Sequence, residues 1–207
     1  MKLVCLLVAA VAFVQTASAP SRSLEDDFKD ILQLIPFDKI HWITVYHLFY
    51  DREFQAAYWY VHSQEWKTIV DDLRAEPLVI ELVEYLKETE VDVDGYAFGK
   101  KFDFEDTKVD LQFKYPVRSF ARYLSAVEKV IPFEEIFQLV LEKLETSPSF
   151  QEFVGKVTSE YFFDLWSQIG ELPTYQKFAE ELADMGVDLN YAFKLARAYF
   201  SLNKKVE

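Results

Sequence analysis

The chain has 207 residues, of which 51% are apolar and 17% aromatic, with 35 acidic against 22 basic side chains. A formal net charge of −13 repels phosphate backbones and argues against nucleic acid as a partner. With only five glycines there is little room for long coil, and a single cysteine, Cys5, excludes an intramolecular disulfide.

Met1 and Lys2, the apolar run Leu3 to Val14 and the small residues Thr16, Ala17, Ser18 and Ala19 read as a secretory leader over residues 1–19, cut after Ala17, Ser18 or Ala19. The run is too short to span a membrane, and no second run of about 18 apolar residues follows. The expected mature protein is therefore secreted, soluble and held together by its core; a domain of this size buries about 70% of its unfolded surface. Ser23, three residues before Asp26, has capping-box spacing and opens a helix through Phe28, Ile31, Leu32 and Leu34 that Pro36 ends. Asp38 is the expected cap of a second helix to about Tyr50, Asp51 of a third to Val61, and Ser63 of a fourth carrying Trp66, Ile69, Val70 and Leu73. Pro77 suits the first turn of a fifth, with Leu78, Leu82, Val83 and Leu86 at helical spacing, and Asp92 or Asp94 opens a short sixth.

The same punctuation returns 96 residues later. Ile131-Pro132-Phe133 repeats Ile35-Pro36-Phe37, Phe150-Gln151 repeats Phe54-Gln55, Ser159 repeats Ser63 and Pro173 repeats Pro77. Fourteen identities fall in register without a gap, where ordinary residue usage gives about four or five by chance. Ser147-Pro148 is a cap followed by proline at the first helical position, and Gly186 suits a left-handed helix end. The reading is all-α: a helical repeat over residues 20–99, a linker over 100–117 with strand-like alternation at Val109, Leu111, Phe113 and Tyr115, and a second repeat over 118–207, the two repeats forming one globular unit.

Catalytic and metal-binding patterns fail. The histidines, His41, His47 and His62, are not spaced to place two ligands on one helical turn. Glu90, Asp92, Asp94 and Gly95 resemble the start of a calcium loop, but Lys101 stands where its bidentate Glu belongs. Neighbouring Glu134 and Glu135 point about 100° apart on a helix, as a solvated face does. There is no Gly-x-Ser-x-Gly. The positive anomaly is apolar excess: Ile40, Trp42, Ile43, Val45, Leu48 and Phe49 surround the second helix, and Ile136, Phe137, Leu139, Val140, Leu141 and Leu144 its twin. Helices apolar on most faces are expected between layers, in a thick two-layer core or around an apolar chamber between the two copies.

The order Ile-Pro-x-x-x-Ile, Asp/Ser-x-x-Phe-Gln, Ser-x-x-Trp/Phe, Pro, then Leu-x-x-x-x-Val-Asp, used twice over about Leu24 to Leu202, resembles the insect allergen-related repeat family. The resemblance implies two tandem repeats of five to six helices closing around a large apolar cavity, with fatty acid or phospholipid as cargo and no cofactor or metal. It also implies secretion into the insect digestive tract, in the midgut lumen or at the microvillar surface. The expected lining pairs Ile40 with Ile136, Phe54 with Phe150, Val61 with Val157, Trp66 with Phe162, Ile69 with Leu165, Leu73 with Ile169, Leu82 with Phe178 and Leu86 with Leu182, and adds Ile43. Partners are then lipids and, transiently, neutral or zwitterionic membranes. The alternatives are a detoxifying, nitrile-specifier-like protein, the one reading that makes it an enzyme, and a structural microvillar component.

Overall fold

The computed structural model describes residues 23–87, 117–191 and 193–194. Ten α-helices follow one another in these residues. In the first half they are α1 (Leu24–Gln33), α2 (Phe37–Tyr50), α3 (Arg52–Val61), α4 (Gln64–Arg74) and α5 (Pro77–Lys87). In the second half they are α6 (Ala121–Glu128), α7 (Phe133–Thr146), α8 (Pro148–Val157), α9 (Glu160–Gly170) and α10 (Pro173–Asp184). The expected leader, the short sixth helix after Asp92 and the linker up to residue 116 lie outside the described residues.

Local chemistry accounts for most helix ends. The Ser23 hydroxyl accepts from the Asp26 backbone N–H and donates to its carboxylate at 2.7 Å, and Glu25, Asp26 and Asp27 place negative charge at the positive end of α1. Asp51 accepts from the N–H groups of Glu53 and Phe54, Ser147 from Phe150, and Ser63 and Ser159 from Trp66 and Phe162. At the end of α10 the Val187 N–H reaches the Leu182 carbonyl and the Gly186 N–H the Ala183 carbonyl, both at 2.9 Å. This double bond pattern requires a left-handed residue at Gly186, whose φ is 89°. One expectation is corrected. Asp38 does not cap α2; the helix starts at Phe37 because the Pro36 carbonyl already accepts from the Ile40 N–H at 3.1 Å, which leaves Asp38 in the first turn.

The bounds of α7, α8 and α9 lie 96 residues beyond those of α2, α3 and α4 at both ends. The cross-links agree as well: Gln55 Nε2 donates to the Leu48 carbonyl, and Gln151 Nε2 to the Leu144 carbonyl, each at 2.8 Å. Neighbours are exchanged between the halves, since α1 packs on α7 and α8, α6 on α2, α4 on α10 and α5 on α9.

Helix α2 departs from the expectation that an all-round apolar helix is buried between layers. Among the described residues its main contacts are with α3 and α6, which cover one face and leave Trp42, Tyr46, Phe49 and Tyr50 exposed. Its counterpart α7 buries Ile136, Val140, Lys143 and Leu144.

The seam between α1 and α7 contains charge. Lys143 is 2% exposed and lies 3.0 Å from Asp27, itself fully buried, and it also donates to Asp30. The Ser147 hydroxyl donates to the other Asp27 oxygen. Burial drives the Lys143 ammonium toward neutrality, but its hydrogen bonds to Asp30 and Asp27 outweigh that effect and raise its pKa above the ordinary lysine value. Removing one partner strands the other charge in the seam. Lys143→Ala is therefore expected to cost about 3–5 kcal/mol in urea unfolding, whereas Lys29→Ala, which removes the exposed pair with Glu25, costs less than about 1 kcal/mol.

Candidate functional site

The expected lining residues divide into two groups. Ile136 and Phe150 are buried with Leu24, Ile31, Val140, Leu144 and Val154 in the seam of α1, α7 and α8. Leu82, Leu165 and Ile169 are buried where α5 meets α9 and α10, with Leu73, Leu86 and Phe162 packed against them. Phe54 has its own aromatic cage of His47, Tyr58, Phe120 and Tyr123, at centroid distances of 4.7–6.1 Å. Ile69 is buried on α4. These ten side chains occupy helix seams. Ile40, Ile43, Val61, Trp66, Val157, Phe178 and Leu182 are half-buried and belong to neither buried cluster. Two of them meet across the halves, with the rings of Trp66 on α4 and Phe178 on α10 centred 5.3 Å apart.

A polar group adjoins this pair. Tyr60 lies 5.8 Å from Trp66, and the Arg118 guanidinium stands 3.7 Å from the Tyr60 ring centroid while bonding Glu181 at 3.0 Å. The Tyr60 hydroxyl is shut off from solvent and makes no hydrogen bond of normal geometry. Burial, and next the Glu181 carboxylate, push its pKa up to about 12. A second cation–ring contact joins the halves: the Lys156 ammonium lies 5.5 Å from the Tyr85 ring centroid, and Tyr85 bonds Ser159 at 3.1 Å.

An open groove of about 730 Å³ lies elsewhere, between Leu34 and the outer face of α7. Glu134, Glu135, Glu142 and Glu145 line it with Leu139 and Leu141, and none of the expected lining residues is among them. Four carboxylates repel an anionic headgroup, so this groove does not suit fatty acid.

The histidines are held separately. His47 is buried and bonds Asp51 at 3.0 Å, His62 Nδ1 lies 2.7 Å from the Tyr58 carbonyl, and His41 is exposed beside Trp42. Among the described residues no group of three His, Cys, Asp or Glu is placed to hold a metal ion, and no helix is long and apolar enough to cross a membrane.

Sequence reasoning missed the buried Asp27–Lys143–Ser147 network. A signal was present: Asp27 lies on the apolar Leu24–Ile31 face of α1, and Lys143 on the Ile136–Val140–Leu144 face of α7, so each charge interrupts an otherwise apolar stripe. It missed Tyr60 and Arg118 because nothing in the linear order joins them. A folded-state phenol that resists ionisation favours the folded chain only while the unfolded phenol is also neutral. The Tyr60 contribution is thus complete below pH 10 and lost as pH rises through about 12. Ultraviolet titration is expected to show one late tyrosinate absent from Tyr60→Phe, and the variant's stability is expected to fall less steeply over that window.

The family model described as insect allergen related repeat, nitrile-specifier detoxification, matches residues 23–193. Protein G12 of Anopheles gambiae is 24% identical over 213 residues, covering 98% of this chain and all of the relative. With a single family model matching from the cap of α1 to just beyond Gly186, the chain belongs to the insect allergen related repeat family.

Proposed function

We propose that this protein is a secreted, non-catalytic lipid carrier of the digestive tract. In this reading its two helical repeats close around an apolar chamber that holds fatty acid or phospholipid and exchanges it with neutral or zwitterionic membranes. The observation that carries the reading is the division of the apolar core. Buried side chains gather in separate seams, and Ile40, Ile43, Val61, Trp66, Val157, Phe178 and Leu182 remain half-buried outside both clusters. A solid helical core of native density closes such faces against one another, whereas a shell leaves them for cargo. The matched helix bounds and the exchanged neighbours of the two halves support this reading.

Affinity follows from chain burial. Each methylene removed from water contributes about 0.8 kcal/mol, so a sixteen-carbon chain yields roughly 10 kcal/mol gross. After an association cost of about 4 kcal/mol, about 6 kcal/mol remains, a Kd of some tens of micromolar with no polar anchor. Arg118 is already engaged by Glu181, which fits cargo held by its tail. A second reading, nitrile-specifier detoxification, is favoured by the family description alone.

Solvent extraction of the purified protein followed by mass spectrometry is expected to release fatty acid or phospholipid, and stripped protein is expected to take up a fluorescent fatty acid. Phe178→Ala should weaken uptake about tenfold while costing less stability than Phe150→Ala, whose fully buried ring is worth about 3–5 kcal/mol. An absence of both lipid and uptake rejects the proposal. Because an empty chamber extracts lipid, stripped protein is also expected to release dye from phosphatidylcholine vesicles and preloaded protein to release much less. Equal release from both separates leakage from the chamber.

A further inference from the structure

We propose that the exposed aromatic stripe of α2 is the surface on which this protein docks to neutral lipid bilayers. Trp42, Tyr46, Phe49 and Tyr50 share one helical face and are 69%, 59%, 69% and 75% exposed. The rings are in register with one another, Tyr46 to Tyr50 at 5.1 Å and Phe49 to Tyr50 at 6.4 Å. At about 150–250 Å² per aromatic side chain, the stripe presents on the order of 500 Å². A contiguous patch of that size is at the upper end of the largest patch a typical monomer exposes, and such patches are often functional.

Charge selects the occupant. The whole chain carries −13, yet α2 holds one carboxylate, Asp38, and one ammonium, Lys39. The positions 96 residues on from the stripe are Gln138, Glu142, Glu145 and Thr146, all exposed on α7. The same face in the same register is therefore acidic and solvated in one half, and aromatic and neutral in the other. Tryptophan and tyrosine, with an apolar ring and a polar edge, favour the headgroup level of a bilayer. Shallow insertion gains energy with every square ångström buried, whereas a stable complex with a second copy needs about 800 Å² per partner, more than the stripe offers. The acidity of the remaining surface opposes anionic lipid, which leaves phosphatidylcholine-like surfaces. The proposal rests on the carrier reading for its purpose, since α2 also bears Ile40 and Ile43, and docking sets these two chamber candidates beside the bilayer from which an acyl chain departs.

The test is co-sedimentation of purified protein with phosphatidylcholine vesicles, comparing the wild type with a triple variant, Trp42→Glu, Tyr46→Glu and Phe49→Glu. All three residues are exposed, so the variant is expected to keep its helical circular dichroism and its uptake of fluorescent fatty acid from vesicle-free solution, while its bound fraction falls at least tenfold. An unchanged bound fraction overturns the proposal. So does loss of uptake in vesicle-free solution, which places the stripe inside the chamber, and so does a wild-type dimer that the variant abolishes while neither binds vesicles, which makes a second copy the occupant. Stripe-dependent docking by a wild type that takes up no fatty acid upholds the docking surface and rejects the carrier reading alone.

Discussion

An ammonium group sealed between two helices sets the register of this protein. Lys143 projects from the apolar face of α7 into a seam with α1, where Asp27 and Asp30 receive it and Ser147 closes the remaining side of Asp27. Apolar faces alone tolerate sliding; a buried charge with fixed partners does not, because any shift leaves it unpaired in a medium of low dielectric. The position of α1, the first helix described, is thus specified by residues of the second half. At the equivalent place in the other half stand His47 and Asp51, bonded at 3.0 Å, with the Tyr123 ring 5.8 Å from the imidazole and Arg122 Nε 3.5 Å from the carboxylate. Lysine, serine and aspartate in one seam correspond to histidine, aspartate and tyrosine in the other, so the location is kept while the chemistry differs.

The two halves also diverge on their outer faces. Cap positions and glutamine cross-links match, but the outer stripe of α7 is glutamate, glutamine and threonine where that of α2 is tryptophan, tyrosine and phenylalanine. Seams constrain residue choice through packing density, whereas an outward face is free to take on a task. The aromatic face of one helix is hard to explain as packing, and its neutrality is hard to explain as solubility.

Helix ends were legible in the sequence wherever their chemistry is local. Ser23, Asp51, Ser63, Ser147 and Ser159 cap the helices they precede, and Gly186 takes the left-handed conformation its position implied. Asp38 does not act as a cap because Pro36 supplies the first helical carbonyl two residues before it. What a side chain meets across a seam was not legible. Phe54 and Phe150 stand in matched register, yet one sits in an aromatic cage and the other in an aliphatic seam with Phe28 at its edge. Hydrophobicity and period report that a residue avoids water; they do not report whether a helix, a partner or a cargo covers it.

The seam between α1 and α7 also imposes an order on synthesis. Asp30 and Lys143 are 113 residues apart and Asp27 and Ser147 are 120 apart. A ribosome adding about 5–20 residues per second exposes α1 for several seconds or more before its cation exists. During that interval the apolar stripe of α1 and the carboxylates of Asp27 and Asp30 lack the α7 surface they meet in the folded chain. The nascent first half cannot complete its fold as it emerges, and contacts of such long range are slow to close. Maturation of this chain therefore waits on its second half, and a ribosome that stalls before residue 143 releases a fragment whose first helix has no place to dock.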